Sequence, residues 1–440
     1  MIENDRPIGS TPAPRIRAVG RLPQAGARLA SAAPSDGLHR IQTRVFTDPT
    51  TRNQLTLHVS AAESRQALLG AIAEAKQSFF IQTFEWHDDQ AGNAVIQALA
   101  ARIRQAKAQG RPFDAKVIID WNGMQDRAGD EAVVRKLQAI GVDVQVFHPG
   151  YLNDGRISPL SHRKLYIQDG DKFLTGGRNI GDEYLGAAYT DAKGVRQNGW
   201  HDLLVTIEGE ETSRAIVAFF QDWVQNGGHP PDAYPETHPH PTGTAKVQTF
   251  ITDPDSGEFS LRRTHRTMIA EAKREIMLVV PYLSDATLID DLIAAKRRNP
   301  QLSVKVLLPS VNEGSTGGDV YALLNPDNAR RLAAAGVEVR MFGGGHEGDR
   351  ALSRFSHMKA MVVDRQLLSV GSANGDTRSY ETNHENITVI DDAAAVNDFM
   401  ARVALPDWAD GRSFDARKQV YQDPLDSLKT QVLQGFNFLF

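Results

Sequence analysis

Residues 161–179 read SHRKLYIQDGDKFLTGGRN, and residues 356–374 read SHMKAMVVDRQLLSVGSAN. Both satisfy one pattern: His-x-Lys-x4-Asp-x6-Gly-[Gly/Ser]-x-Asn. In the first copy the fixed positions are His162, Lys164, Asp169, Gly176, Gly177 and Asn179. In the second they are His357, Lys359, Asp364, Gly371, Ser372 and Asn374. Each pair is 195 residues apart. At average residue usage, one such match arises by chance in on the order of 10⁻⁵ to 10⁻⁴ chains of this length. Two copies in register therefore mark a duplicated unit.

Working outward, the same offset joins LQAIGVDVQVF at 137–147 to LAAAGVEVRMF at 332–342, so the repeat extends well beyond the motif. In the first half the hydrophobic pattern predicts a helix over LLGAIAEAKQSF, a buried strand over FFIQTFEW and an amphipathic helix ending at Gly110. AKVIIDW, EAVVRKLQAIG and VDVQVF continue as strand, helix and strand. The order restarts with REIMLVVPYL, a helix near 285–298, LSVKVLLP, a helix near 318–335 and GVEVRMF. Alternating β and α elements place the chain in the α/β class with a largely central sheet.

Between the halves, residues 226–245 are dense in Pro and Gly and read as a linker. His229, His238 and His240 fall inside it, without a carboxylate or thiolate scaffold, and read as exposed linker histidines rather than metal ligands. The domains are then 41–225 and 246–408. Residues 1–40, with Arg15, Arg17, Arg21 and Arg28, read as a mobile arm, and 409–440 as a C-terminal tail.

Composition narrows the chemistry. At 440 residues the chain is long enough for two domains, and 41% apolar with 23% charged residues is ordinary for a globular protein. It has no cysteine, which excludes disulfides, thiolate metal sites and cysteine catalysis. A net charge of −5 speaks against a nucleic-acid partner gripped through many phosphates. The start, MIENDRPIGSTPAP, has no apolar core after a basic region, and no Sec signal is expected. No run approaches the roughly 18 apolar residues needed to span a bilayer.

The double motif resembles the signature of the phospholipase D superfamily. NIGDEYLG after the first copy and GSANGDTRSYETNHE after the second are similar to bacterial cardiolipin synthases, as is the HRK opening. SHMK stands where those enzymes often have LHAK. The resemblance implies two pseudo-symmetric phospholipase D-type α/β repeats, each with a central mixed sheet flanked by helices, and one composite active site. It further implies a phosphodiesterase or phosphatidyltransferase working through a phosphohistidine, with no cofactor and no metal. The implied partners are a glycerophospholipid and an alcohol or water acceptor, with peripheral membrane contact, in the bacterial cytoplasm or at the inner membrane surface. Export as an effector stays open, as does a nuclease or other phosphodiesterase of the same superfamily.

The motif's spacing fits that chemistry. Residues i and i+2 of a strand share a face, so His162 and Lys164 project together, as do His357 and Lys359. Glycines at the end of the returning strand let backbone approach a phosphate, which marks Gly177 and Ser372 as phosphate contacts beside Asn179 and Asn374. One imidazole attacks phosphorus and the other acts as acid and base. The residues do not distinguish the two; the resemblance assigns the nucleophile to His162 and the acid/base to His357. It also puts a carboxylate at about the place of Glu385 on the motif histidine, with Asp202 as the first-half match, after an insertion at 186–198. Asp169 and Asp364 are expected in a turn or ion pair. At the C-terminus, Leu425, Leu428, Val432 and Phe436 recur at helical spacing, which suits either an interfacial anchor or packing on the protein itself.

Overall fold

The structure, a computed structural model, describes residues 44–125, 129–148, 159–190, 194–309, 318–347 and 350–413. The N-terminal arm and the stretch 425–440 lie outside the described residues.

Seven strands from each half build the sheet. In the first half they are β1 (Thr50–His58), β2 (Ser78–Thr83), β3 (Asp114–Asp120), β4 (Asp143–Phe147), β5 (Leu165–Gln168), β6 (Lys172–Gly176) and β7 (Leu204–Gly209). Their counterparts are β8 (Ala245–Asp253), β9 (Glu275–Val279), β10 (Ser303–Leu308), β11 (Glu338–Met341), β12 (Ala360–Val363), β13 (Leu367–Gly371) and β14 (Glu385–Asp391). The first half runs β1-β7-β6-β5-β2-β3-β4 and the second β8-β14-β13-β12-β9-β10-β11. Strands β2, β3 and β4 are parallel and the others in that half antiparallel, and the second half repeats this. The fold is thus mixed α/β in each repeat, as expected. What the alternation in sequence does not contain is the join. β1 and β8 pair antiparallel, with a register shift between Thr50 and Asn53, so the two sheets form one sixteen-stranded sheet, short edge strands included. Pairing the two edges removes two rows of open backbone groups.

Period-two alternation sorts the strand residues onto two faces. Phe80, Ile118, Val205, Met277, Leu307 and Val370 lie on one face, in a core shared by both halves. That core is closed by the helix Thr212–Gln225, through Phe219, Phe220 and Trp223, and by Val396, Phe399 and Trp408 near the end of the described chain. Phe79, Ile81 and Val117 face a first-half core under the helices Ala61–Glu74, Gln90–Ala108 and Asp130–Ala139. Ile276, Leu278 and Val304 face the corresponding second-half core.

Asp169 and Asp364 sit in the turns after β5 and β12, at φ of 55° and 53°. Asp169 accepts the backbone N–H groups of Lys76, Gln77 and Ser78 at 2.7–2.9 Å. Asp364 accepts those of Lys273, Arg274 and Glu275. The expected turn is present. The alternative, an ion pair, is replaced by capping of the chain that enters β2 and β9, where three successive donors would otherwise lack acceptors. Residues 226–244 carry no helix or strand, and Ala245 already belongs to β8. That segment is pinned to the first half by the N–H of His240 on the Arg52 carbonyl and by His238 on Asp171.

Candidate active site

Each motif opens just before its strand, and the residue ahead of each histidine pairs with the other half. Ser161 bridges to His384, and Ser356 bridges to His201. The N–H of His162 donates to the His384 carbonyl and that of His357 to the His201 carbonyl, both at 2.9 Å. Side chains follow backbone, so each histidine receives the carboxylate next along from the other repeat. His162 Nδ1 lies 2.9 Å from Glu385 Oε1, and His357 Nδ1 lies 2.8 Å from Asp202 Oδ2. Each motif histidine thus has a carboxylate on Nδ1, and the pairing crosses between halves. Arg163 reinforces the crossing. Buried in an ion pair with Asp222 at 2.6 Å, it also donates to the Glu385 carbonyl.

Both histidines line one cavity of about 260 Å³. A carboxylate on Nδ1 fixes that nitrogen as the N–H and leaves Nε2 as the basic atom. The two Nε2 atoms then differ. Lys359 Nζ donates to His357 Nε2 at 2.7 Å, while His162 Nε2 has no partner among the described residues. Lys164 and Lys359 each donate to the carbonyl of their own motif histidine at 2.7 Å.

Burial sets the protonation states. It pushes the Lys164 ammonium down to about 8 and that of Lys359 to about 7, against the pull of nearby carboxylates. Burial and the Lys359 charge hold His357 down to about 3, against Asp202. His162 is lowered by burial too, with Glu385 opposing. Burial alone would raise Glu385, but His162, Lys164 and Ser372 bring it to about 2. Two neutral imidazoles, two ionised carboxylates and two titratable lysines make a site whose missing charge is an anion.

Asn179 and Asn374 line the cavity. Gly177 and Ser372, expected as phosphate contacts, stand against the two carboxylates. A Cβ on Gly177 would sit 2.4 Å from Asp202 Oδ1, so the glycine makes room for the carboxylate under His357. At the matching position Ser372 donates its hydroxyl to Glu385 Oε2.

Several lining residues escaped sequence reading: Glu85, Tyr184, Trp200, Tyr282 and Arg378. Trp200 follows the 186–198 insertion, within which Ala188–Thr190 pairs antiparallel with Arg196–Asn198. One signal was available: both carboxylates follow a histidine, as His201-Asp202 and His384-Glu385. Those histidines are themselves held, His201 on Asp407 at 2.7 Å and His384 on Asp222 at 2.9 Å. Among the described residues two buried groupings have metal-ligand geometry: Glu85 with His87 and Glu183, and Asp222 with Asp253 and His384. In each the neighbouring carboxylates favour the protonated histidine. Although burial opposes it, Asp130, Glu183 and Glu85 hold His87 well above its ordinary value, and Asp222 brings His384 to about 9.

Residues 266–404 match the family described as "Cardiolipin synthase, PLD-like domain". Over that stretch the chain is similar to the phospholipase D-like family. It is 30% identical over 342 residues to a cardiolipin synthase of Listeria monocytogenes serotype 4b (strain CLIP80459), covering 76% of this chain and 65% of that protein. It is 29% identical over 347 residues to the major cardiolipin synthase ClsA of Bacillus subtilis (strain 168), covering 78% and 65%. The chain thus spans just under two thirds of the length of these relatives. The solved phosphatidylserine synthase of Haemophilus influenzae Rd KW20 superposes with a TM-score of 0.64 at 16% identity, over 92% of this chain and 98% of that one. At that identity the likeness speaks for the fold. No helix among the described residues is long and apolar enough to cross a membrane.

Proposed function

We propose that this phospholipase D-like chain transfers a phosphatidyl group from a glycerophospholipid to an alcohol or to water, through a phosphohistidine. The observation that carries the reading is the pair of carboxylate-held imidazoles on one cavity, of which only His162 presents a free Nε2. His162 Nε2 attacks phosphorus, and the P–N bond forms as the P–O bond to the departing alcohol breaks. His357 protonates that alcohol and later takes the proton of the incoming hydroxyl, whose oxygen displaces His162 from phosphorus. The phosphodiester's own charge, brought between Lys164 and Lys359, favours the protonated form of His357 that the first step requires. Asn179 and Asn374 add amide donors for the phosphoryl oxygens. The lipid substrate rests on the likeness to enzymes named cardiolipin synthase. It brings with it peripheral contact with a bacterial inner membrane surface from the cytoplasmic side.

The test uses vesicles and plasmid side by side, with EDTA present. Lipid turnover with EDTA is expected, together with a covalent phosphatidyl adduct on His162 found by mass spectrometry. His162→Ala and His357→Ala should each lose several powers of ten in rate. An adduct on His357 would reverse the two roles, and plasmid cleavage without lipid turnover would establish the nuclease alternative.

A further inference from the structure

The cavity is built for an anion, yet one wall is anionic. Glu85 lines it beside the histidines and is 8% exposed. Its Oε2 accepts from the Tyr184 hydroxyl at 2.5 Å and from Asn179 Nδ2 at 3.3 Å, and Oε1 has no hydrogen-bond partner among the described residues. Behind it stands His87, 3.6 Å from Oε2 and gripped by Asp130 at 2.8 Å and Glu183 at 3.0 Å. Burial opposes the Glu85 charge, but His87 and Tyr184 hold it ionised, at about 2. A carboxylate in this position repels a phosphate, so its partner is another part of the substrate.

Two observations say which part. Tyr184, bonded to Glu85, packs edge-on against His357 at 5.4 Å between ring centroids, which puts Glu85 on the side of the proposed acid/base. In a double displacement the departing and incoming alcohols occupy the same side of phosphorus, because one group serves both in opposite directions. The repeat also breaks symmetry here. Trp86 bridges to Ile180 as Leu283 bridges to Gly375, so the counterpart of Glu85 is Tyr282. The anionic wall is therefore a feature of one side of the site, not of the repeat.

Resting on the phosphatidyl-transfer reading, we infer that Glu85 is the alcohol-selecting residue: it accepts a hydrogen bond from a second donor group, hydroxyl or ammonium, on the head group or acceptor alcohol. Simple monohydric alcohols leave its Oε1 unpaired and are disfavoured.

The experiment offers the enzyme phospholipid vesicles with equimolar glycerol and 1-propanol, then ethanolamine and 1-propanol, and measures the ratio of the two phosphatidyl products. The ratio is internal to each reaction and does not move with the amount of active protein. Wild type is expected to favour the donor-bearing alcohol by roughly tenfold or more, the scale of a hydrogen bond to a charged group. Glu85→Gln is expected to bring the ratio toward unity for both pairs. Loss for glycerol alone assigns a hydroxyl as the partner, and loss for ethanolamine alone assigns an ammonium. An unchanged ratio in Glu85→Gln overturns the inference. Should that variant fail to fold, wild type decides: a ratio near unity for both pairs overturns it equally. If wild type instead turns over no lipid at all, the phosphatidyl-transfer reading falls first, and this inference with it. Lipid turnover without selection sinks the inference alone.

Discussion

Lys359 is buried, and its ammonium has lost most of its solvation, which pays for a cation placed where a phosphodiester will need one. Its folded-state pKa of about 7 lies below the ordinary 10.5. Between those values the folded protein binds fewer protons than the unfolded chain. The destabilisation is therefore full below about pH 7 and fades as pH rises toward 10.5. Lys359→Met should be inactive but more stable than wild type at pH 6, by on the order of a few kcal/mol, with the gap closing by about pH 10. Denaturant midpoints at a series of pH values measure this, and a variant less stable at pH 6 would refute it. The sequence told which residue types carry the chemistry. It did not tell that the lysine sits dry beneath its histidine, since burial depends on what packs above it.

The elements that matter most are the strand ends. Gly177 follows β6 and leaves space that the Asp202 carboxylate occupies. Gly177→Ala should displace that carboxylate and lose about ten- to a hundredfold in kcat/KM, as expected for a disturbed supporting partner, while circular dichroism stays native. Activity close to wild type would show that His357 does not depend on Asp202. Asp169 and Asp364 hold three backbone donors each, so replacing either by Ala should cost about 1–3 kcal/mol of stability in thermal or chemical melts. The two costs should be similar, because the repeat gives them the same task. Some helices and strands were legible from hydrophobic period: the structure has Gln90–Ala108 and Ala286–Arg298 as helices and Asp114–Asp120 and Ser303–Leu308 as strands, whereas the helix expected over LLGAIAEAKQSF runs Ala61–Glu74, because Phe79 already belongs to β2. The purpose of Gly177 was not legible, because a glycine that spares a phosphate and one that spares a carboxylate look alike in sequence.

At the scale of the molecule the halves are joined three times over. β1 and β8 pair across the centre, one core draws on both sheets, and the two histidine–carboxylate pairs cross. Neither half holds a complete site, since each carries a histidine whose partner lies in the other. The two should unfold together. Calorimetry is expected to show one transition with calorimetric and van't Hoff enthalpies close to equal, and Val389→Ala in β14 should lower the melting seen by probes in either half. Two resolved transitions would separate the halves.

By itself the sequence determined the duplicated α/β unit, the two histidines and lysines, and the family they resemble. These are local patterns, repeated in register, and local patterns survive without coordinates. Tertiary structure decided what partners what: Glu385 with His162, Asp202 with His357, and Glu85 on one wall of the cavity. The positions 162 and 385 are 223 residues apart, and 202 and 357 are 155 apart. Contacts over such distances follow from how the two sheets dock. That is set by the shared core and the β1–β8 edge, whose free energy is spread over dozens of buried side chains and written in no single motif.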